Sequence, residues 1–290
     1  MPNVSGKVVL ITGAARGIGA QTARELAGRG ARVALTGLEP EVLRELAAEL
    51  GEGHFWAEAD VTDPESVQRA VDAAAEALGG IDAVVANAGV APLGTVRQHD
   101  PQSFVKTVDV NLNGVFHTLR ASLPHLVERR GYALVVSSLS AFAPIGGMAA
   151  YTASKAGAEA LASAVQSEVR HLGVGVGSAH PSWIDTDLVR DVSKDLGTFQ
   201  EMRKRLPWPM RATTSVQECG KAIADGVQHR SRRVYVPRSI KLVHWLRNLP
   251  TSRLVERLMA PTTARFIPRA EREVAALGRS FSERNDKLQK

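Results

Sequence analysis

Apolar positions run along most of this chain in two alternating patterns: short unbroken blocks, and longer stretches with apolar residues three and four apart. The blocks lie at residues 7–12, 31–36, 54–61, 81–86, 133–136 and 174–180. They are β-rich, as strands buried on both faces of a sheet are. Helical patterns fall between them. Ile18, Thr22, Leu26 and Ala27 precede a stop at Gly30, and residues 40–50 are amphipathic. Asp63-Pro-Glu-Ser opens the next helix with cap chemistry. From Phe104 to Leu126 the spacing predicts a helix with Val108, Leu112, Val115, Phe116, Leu119 and Leu123 on one side. Asn111 sits within that apolar stretch, so its amide needs partners there.

Length allows one large α/β domain with a sizeable core or two small ones, and 44% hydrophobic residues point to a packed globule. The single cysteine, Cys219, excludes an internal disulfide and a cysteine-rich metal site. The eight histidines are scattered, with His117 and His125 nearest to a pair, and no metal site is expected. The first residues lack a signal-peptide profile, and no apolar run reaches the about 18 residues needed to span a bilayer. A cytoplasmic location is the expectation. Charge is uneven. From His229 onward there are 15 Lys/Arg against 5 Asp/Glu, while the first 228 residues carry 21 against 25. The body is mildly acidic and the tail basic.

The first strand block passes directly into Gly13-Ala-Ala-Arg16-Gly17-Ile18-Gly19 and then a helix. Strand, glycine turn and helix N-terminus together make an anion site for a dinucleotide pyrophosphate. At the end of the second strand, where a carboxylate usually holds the ribose 2′-hydroxyl, stand Gly37, Leu38 and only then Glu39. A 2′-phosphate would meet no repulsion at Gly37 and Arg16 is placed to pair with it, so NADP(H) is favoured; NAD(H) stays open through Glu39. Asp60 can accept from an adenine amino group or serve only the turn. Asn87-Ala88-Gly89 offers small residues against which a flat cofactor can lie, with Asn87 pinning the turn. Tyr151 and Lys155 stand one helical turn apart and share a face. A nearby ammonium lowers the pKa of a phenol from its usual value of about 10. Ser138 lies at the end of the strand block 133–136. Tyr-x-x-x-Lys is also common on helix surfaces, so the pair alone does not decide.

Jointly, Thr12-Gly13-x-x-x-Gly17-Ile18-Gly19, Asp60, Asn87-Ala88-Gly89, Asn111, Ser138 and Tyr151-x-x-x-Lys155 resemble the short-chain dehydrogenase/reductase family over residues 5–237. The resemblance implies a single Rossmann-type, doubly wound parallel sheet of about seven strands with helices on both faces, its last strand at residues 233–237. It implies an NAD(P)(H)-dependent oxidoreductase moving hydride between nicotinamide and a ketone or secondary alcohol. Tyr151 would be the general acid/base, Lys155 would lower its pKa and hold the nicotinamide ribose, Ser138 would bond the reacting oxygen, and Asn111 would position a relay water. The cofactor would lie on Gly13, Arg16, Gly17, Ile18, Gly19, Asp60, Val61, Asn87, Ala88, Gly89, Tyr151, Lys155, Pro181, Ile184 and Thr186. The family usually has Pro-Gly where this chain has Pro181-Ser182, a change that needs a negative φ at Ser182. A 3-oxoacyl-carrier-protein reductase and a catalytically lapsed scaffold are the alternatives.

Residues 187–210 correspond to the family's lid, and their Leu188, Val189, Leu196, Phe199, Met202, Leu206 and Trp208 suggest a hydrophobic substrate or else pack the lid's own helices. The 1–237 unit is thus read as the catalytic domain and 238–290 as a helical, basic, amphipathic extension. Ile240, Leu242, Val243, Trp245, Leu246 and Leu249, then Leu254, Val255, Leu258 and Met259, alternate with basic residues. Three roles are open: covering the substrate pocket, a subunit interface, or peripheral contact with an anionic membrane. From Arg269 the chain is charged and expected to fray. The expected partners are a small hydrophobic substrate and further copies of the chain, as homodimer or homotetramer, and no nucleic acid.

Overall fold

The structure, a computed structural model, describes residues 3–195, 197–206, 208–248, 253–279 and 281. Its strands are β1 (Val8–Thr12), β2 (Arg32–Gly37), β3 (Phe55–Glu58), β4 (Ala83–Ala86), β5 (Tyr132–Val136), β6 (Gly175–Pro181), β7 (Trp183–Ile184), β8 (Thr213–Thr214) and β9 (Arg233–Val236). Seven form one parallel sheet in the order β3-β2-β1-β4-β5-β6-β9, while β7 and β8 pair separately. The order reverses between β1 and β4, and in such sheets ligands bind beyond the carboxyl ends of the strands at that point.

The helices are α1 (Gly17–Ala27), α2 (Pro40–Leu50), α3 (Pro64–Leu78), α4 (Pro101–Val108), α5 (Gly114–Arg129), α6 (Ala149–Val169), α7 (Asp187–Asp195), α8 (Gly197–Arg205), α9 (Val216–Gln228), α10 (Ile240–Trp245) and α11 (Arg253–Leu277). Local chemistry starts several of them. Pro40 and Pro64 open α2 and α3, where a missing N–H costs nothing. The Asp63 carboxylate caps α3 by accepting from the Glu65 N–H at 2.9 Å. One sheet face packs Leu26 of α1, Leu43 of α2 and Ile223 of α9 on Val9, Ile11, Val33 and Leu35. The other packs Val71 of α3, Leu119 of α5 and Ala158 of α6 on Leu10, Val84 and Val135. Each fully buried aliphatic side chain contributes about 1.5–3 kcal/mol, so the two clusters hold the strand ends rigidly beneath the site.

Two expectations need correction. The helix expected over 104–126 is α4 and α5 joined through a π turn at Asp109–Asn113. Phe116, expected on the packed side, is 48% exposed while Val115 and Leu119 are buried. Nor does the chain fray from Arg269, because α11 runs to Leu277. Leu249 and Leu196 lie outside the described residues, as do the side chains of Leu188, Leu254, Val255, Leu258 and Met259.

Candidate active site

A cleft runs across the carboxyl ends of β1, β2, β4, β5 and β6. It is lined by Gly13, Arg16, Gly17, Ile18, Gly37, Glu39, Asp60, Val61, Asn87, Ala88, Gly89, Tyr151, Lys155, Pro181 and Thr186 among others. The glycine turn is held from below. Asn87 Nδ2 donates to the carbonyls of Thr12 and Gly13 at 3.0 and 3.1 Å, and the Thr12 hydroxyl accepts from the N–H groups of Asn87 and Ala88. A Cβ on Gly13 would sit 2.8 Å from the Ala88 Cα, and Gly13 has φ +61°. A Cβ on Gly19 would meet the Gly13 carbonyl and stand 2.7 Å from Asn87 Nδ2. Gly19 thus builds the turn without lining the cleft. Arg16 precedes α1 in extended conformation with no side-chain cap, so the first N–H groups of α1 face the cleft unpaired by any side chain. Uncapped helix terminus and bare backbone together fit the pyrophosphate of a dinucleotide.

The remaining expected cofactor residues divide. Asp60 Oδ1 accepts from the Thr62 N–H and hydroxyl, both at 2.8 Å, so the carboxylate organises its own turn while lining the cleft. Ile184 is 2% exposed and packs in the core with Val136 and Ala179 rather than lining the cleft. Arg16, expected to pair with a 2′-phosphate, here pairs with Glu39 at 2.8 Å. Ser182 has no positive φ, as its non-glycine side chain requires.

The residues expected to carry the chemistry converge. Tyr151 lies in the first turn of α6 and Lys155 one turn on, 3% exposed, its Nζ donating to the Val136 carbonyl at 2.9 Å. Ser138 follows β5 and caps the turn 139–141. Burial raises the Tyr151 phenol above its usual pKa, and the Ser138 hydroxyl beside it pulls the other way. This departs from the expectation that Lys155 lowers the phenol. The ammonium lies 5.9 Å from the ring centroid and faces Val136 instead. Burial in turn holds Lys155 down to about 8. Asn111, fully buried in the π turn, accepts from the Val90 N–H at 2.8 Å and donates to the Val90 carbonyl and the Ser154 hydroxyl at 2.9 and 3.0 Å. Both amide donors are engaged, so its side chain offers a relay water only an acceptor. It ties the loop after β4 to α6. Gly89 lets Asn111 Oδ1 and Lys155 Nζ converge, each 3.1 Å from where a Cβ would be.

A second chamber opens on the far side of Tyr151, between Ser138, Ala91, Ile145, Met148, Trp183 and Phe199. Trp183 meets Phe199 edge-on at 5.3 Å and donates its indole N–H to the Met210 carbonyl at 2.7 Å. The Ser182 hydroxyl is buried at this wall without a hydrogen-bond partner.

Sequence reading missed a buried cluster behind Ser138. His180 Nδ1 lies 3.5 Å from the Ser138 carbonyl, and the Ser178 hydroxyl 3.0 Å from Nε2. Burial pushes His180 down to about 3, so the ring is neutral. His244 of α10 stands 6.1 Å away, and Glu159 and Tyr235 lie beside both rings. His117 and His125, nearest in sequence, point instead to the Val61 carbonyl and to Asp72 of α3. No local signal announces the His180 cluster, since its members are distant in sequence. Among the described residues, no three or more His, Cys, Asp or Glu are arranged to hold a metal ion, and no helix is long and apolar enough to cross a membrane.

Residues 7–197 match the family model for short chain dehydrogenases. The chain belongs to the short-chain dehydrogenase/reductase family. Over 212 residues it is 33% identical to a 3-alpha-(or 20-beta)-hydroxysteroid dehydrogenase of Mycobacterium tuberculosis, covering 73% of this chain and 81% of that protein. Among solved structures it resembles an alcohol dehydrogenase from Thermococcus sibiricus complexed with 5-hydroxy-NADP, at 30% identity and TM-score 0.68, covering 79% of this chain and 94% of that one. It also resembles a 3-ketoacyl-(acyl-carrier-protein) reductase from Brucella melitensis complexed with NADH, at 27% identity and TM-score 0.73, covering 81% and 98%. Family membership makes the chain an oxidoreductase with a nicotinamide cofactor.

Proposed function

We propose that this enzyme interconverts a hydrophobic ketone and its secondary alcohol, with Tyr151 as general acid/base. One observation carries the reading: among the described residues, Tyr151 alone lines both the cofactor cleft and the apolar chamber. A nicotinamide bound in the cleft supplies or takes the hydride. Tyr151 then exchanges a proton with the substrate oxygen, and Ser138 holds that oxygen in place. The raised phenol pKa keeps the proton on Tyr151 at neutral pH, which suits carbonyl reduction. Lys155 holds the cofactor ribose and sets the charge beside it. Asn111 keeps α6 and the loop after β4 in register.

The decisive variant is Tyr151→Phe, which keeps the ring and removes the proton. Turnover of a panel of hydrophobic ketones is expected to fall about 10²–10⁴-fold, with cofactor affinity by fluorescence titration unchanged. Retained turnover removes Tyr151 from the role. The chamber's apolar walls favour a free hydrophobic substrate over the carrier-bound acyl group of a 3-oxoacyl-carrier-protein reductase, and the intact Asn111, Ser138, Tyr151 and Lys155 set argues against a lapsed scaffold.

Cofactor choice is assigned to Arg16 and Glu39. A 2′-phosphate takes the place of Glu39 on Arg16, whereas Glu39 serves the hydroxyls of an unphosphorylated ribose. A modest preference for NADP(H) results. The exposed Phe104, Val105 and Phe116 on α4 and α5 support self-association through those helices. Leu242 and Trp245, exposed on α10 beside Lys241, and Leu246 just after it support contact with an anionic membrane surface.

A further inference from the structure

Beyond the chamber at Tyr151 lies another apolar pocket, partly open to solvent, between α8 and the C-terminal helix α11. Among the described residues, the two cavities share Leu93, Met148 and Phe199, whose side chains stand between them. The far wall is supplied by Phe266, Ile267, Ala270 and Val274, which succeed one another at helical spacing along α11. Phe266 is 6% exposed, although the residues around it are charged.

Polar contacts fix that face in place. Glu273 accepts from the Thr198 N–H and hydroxyl at 3.0 and 2.6 Å, tying α11 to the start of α8. Arg269 pairs with Glu201 at 3.0 Å, and Glu271 accepts from the Thr95 hydroxyl at 2.7 Å. The Thr95 and Thr198 hydroxyls, at the rim of the pocket, thereby give their protons to carboxylates. Among the described residues, what lines the pocket is mainly hydrocarbon, thioether and aromatic ring, and its two threonine hydroxyls already donate to Glu271 and Glu273. A ligand end placed here must itself be hydrocarbon, because an unmet polar group would cost more than its burial returns.

We infer that the C-terminal helix is part of the substrate site: the substrate is an elongated ketone or alcohol whose hydrocarbon end passes the Leu93–Met148–Phe199 partition and rests on Phe266, Ile267, Ala270 and Val274. This deepens the proposed function and rests on it for the reacting end. The helix lies beyond the family-matched residues 7–197, so the length of substrate accepted is set by the extension rather than by the dehydrogenase core.

The test is a chain-length series of 2-alkanones, from butan-2-one to dodecan-2-one, reduced by the wild-type enzyme and by Ala270→Trp and Ile267→Ala. In the wild type kcat/KM rises along the series. Ala270→Trp fills the distal cavity and lowers kcat/KM for dodecan-2-one by at least about tenfold, about 1.4 kcal/mol, while butan-2-one changes by less than about twofold. Ile267→Ala enlarges the cavity and shifts the optimum toward longer or bulkier ketones. A flat profile in the wild type, or an equal loss for short and long ketones in Ala270→Trp with no shift in Ile267→Ala, overturns the inference. Should the wild type reduce no member, the proposed reduction of hydrophobic ketones fails, and calorimetric titration with dodecan-2-one reads the cavity alone. An affinity about tenfold weaker in Ala270→Trp than in the wild type then sustains the inference; equal affinity, or no binding to either, overturns it.

Discussion

The cradle for the cofactor and the wall for the substrate are built in opposite ways. The cradle is mostly backbone. Gly13 and Gly19 leave space that any side chain would fill, Asn87 and Thr12 pin the turn, and the first N–H groups of α1 point outward. The wall is side chains brought from separate segments: Leu93 after β4, Met148 before α6, Phe199 in α8 and Phe266 in α11. Backbone geometry tolerates little variation and binds what every dinucleotide has. Side-chain walls can be reshaped one residue at a time, and substrate choice resides there.

If that contrast is right, damage to the cradle abolishes binding and damage to the wall re-tunes it. Gly13→Ala forces a Cβ toward Ala88 at positive φ. It is expected to cost about 2–3 kcal/mol, on the order of 100-fold in affinity for either nicotinamide cofactor by fluorescence titration; unchanged affinity would break the comparison at its stronger side.

Lys155 sits at the seam. Its pKa falls from 10.5 unfolded to about 8 folded, so between those values the unfolded chain binds more protons and stability rises with pH. Below about 8 both states are charged and the burial penalty, about 3 kcal/mol, is present in full. Lys155→Met removes it and forfeits the bond to Val136, worth about 1 kcal/mol. The variant should lose turnover yet be more stable by roughly 2 kcal/mol at pH 7 in urea denaturation. That advantage should fade as pH rises from about 8 to 10.5. A less stable variant at pH 7 would contradict the burial argument.

On the wall side, Glu273→Ala strands the Thr198 N–H and hydroxyl. A loss of about 1–2 kcal/mol should appear as roughly a tenfold rise in KM for dodecan-2-one, with cofactor affinity unmoved. The smallest effect belongs to the half-exposed Arg16–Glu39 pair. Arg16→Ala is expected to weaken NADPH about fivefold and NADH hardly at all. Equal weakening of both would take the phosphate-reading role from Arg16.

Much of the cradle side was legible in the sequence. The helix Pro40–Leu50 and the Asp63 cap are found where proline, acidic residues and apolar spacing place them, because these signals act within one or two turns. The strands were legible as buried apolar blocks. Phe116 was misread because apolar spacing alone does not mark the edge of a buried helix face: its neighbour Val115 is buried and Phe116 is 48% exposed. The Arg16–Glu39 pair went unforeseen because nothing in the sequence shows Glu39 folding back onto Arg16. His180 and His244 escaped notice because strand order, not sequence distance, sets them together. The charge-rich stretch after Arg269 looked like a frayed end, yet Arg269, Glu271 and Glu273 each meet a partner far away in the chain.

The sequence by itself determined the parallel α/β fold, the glycine turn and the set Asn111, Ser138, Tyr151 and Lys155, since strand blocks, helix caps and family-specific spacings are written in residues close together. Only the tertiary structure decided which way Lys155 points, what Asn111 spends its hydrogen bonds on, and that α11 of the basic tail docks on α8 and Thr95. Those outcomes depend on burial and on contacts between residues far apart in the chain, and the free energies that set them exist only once the chain has closed on itself.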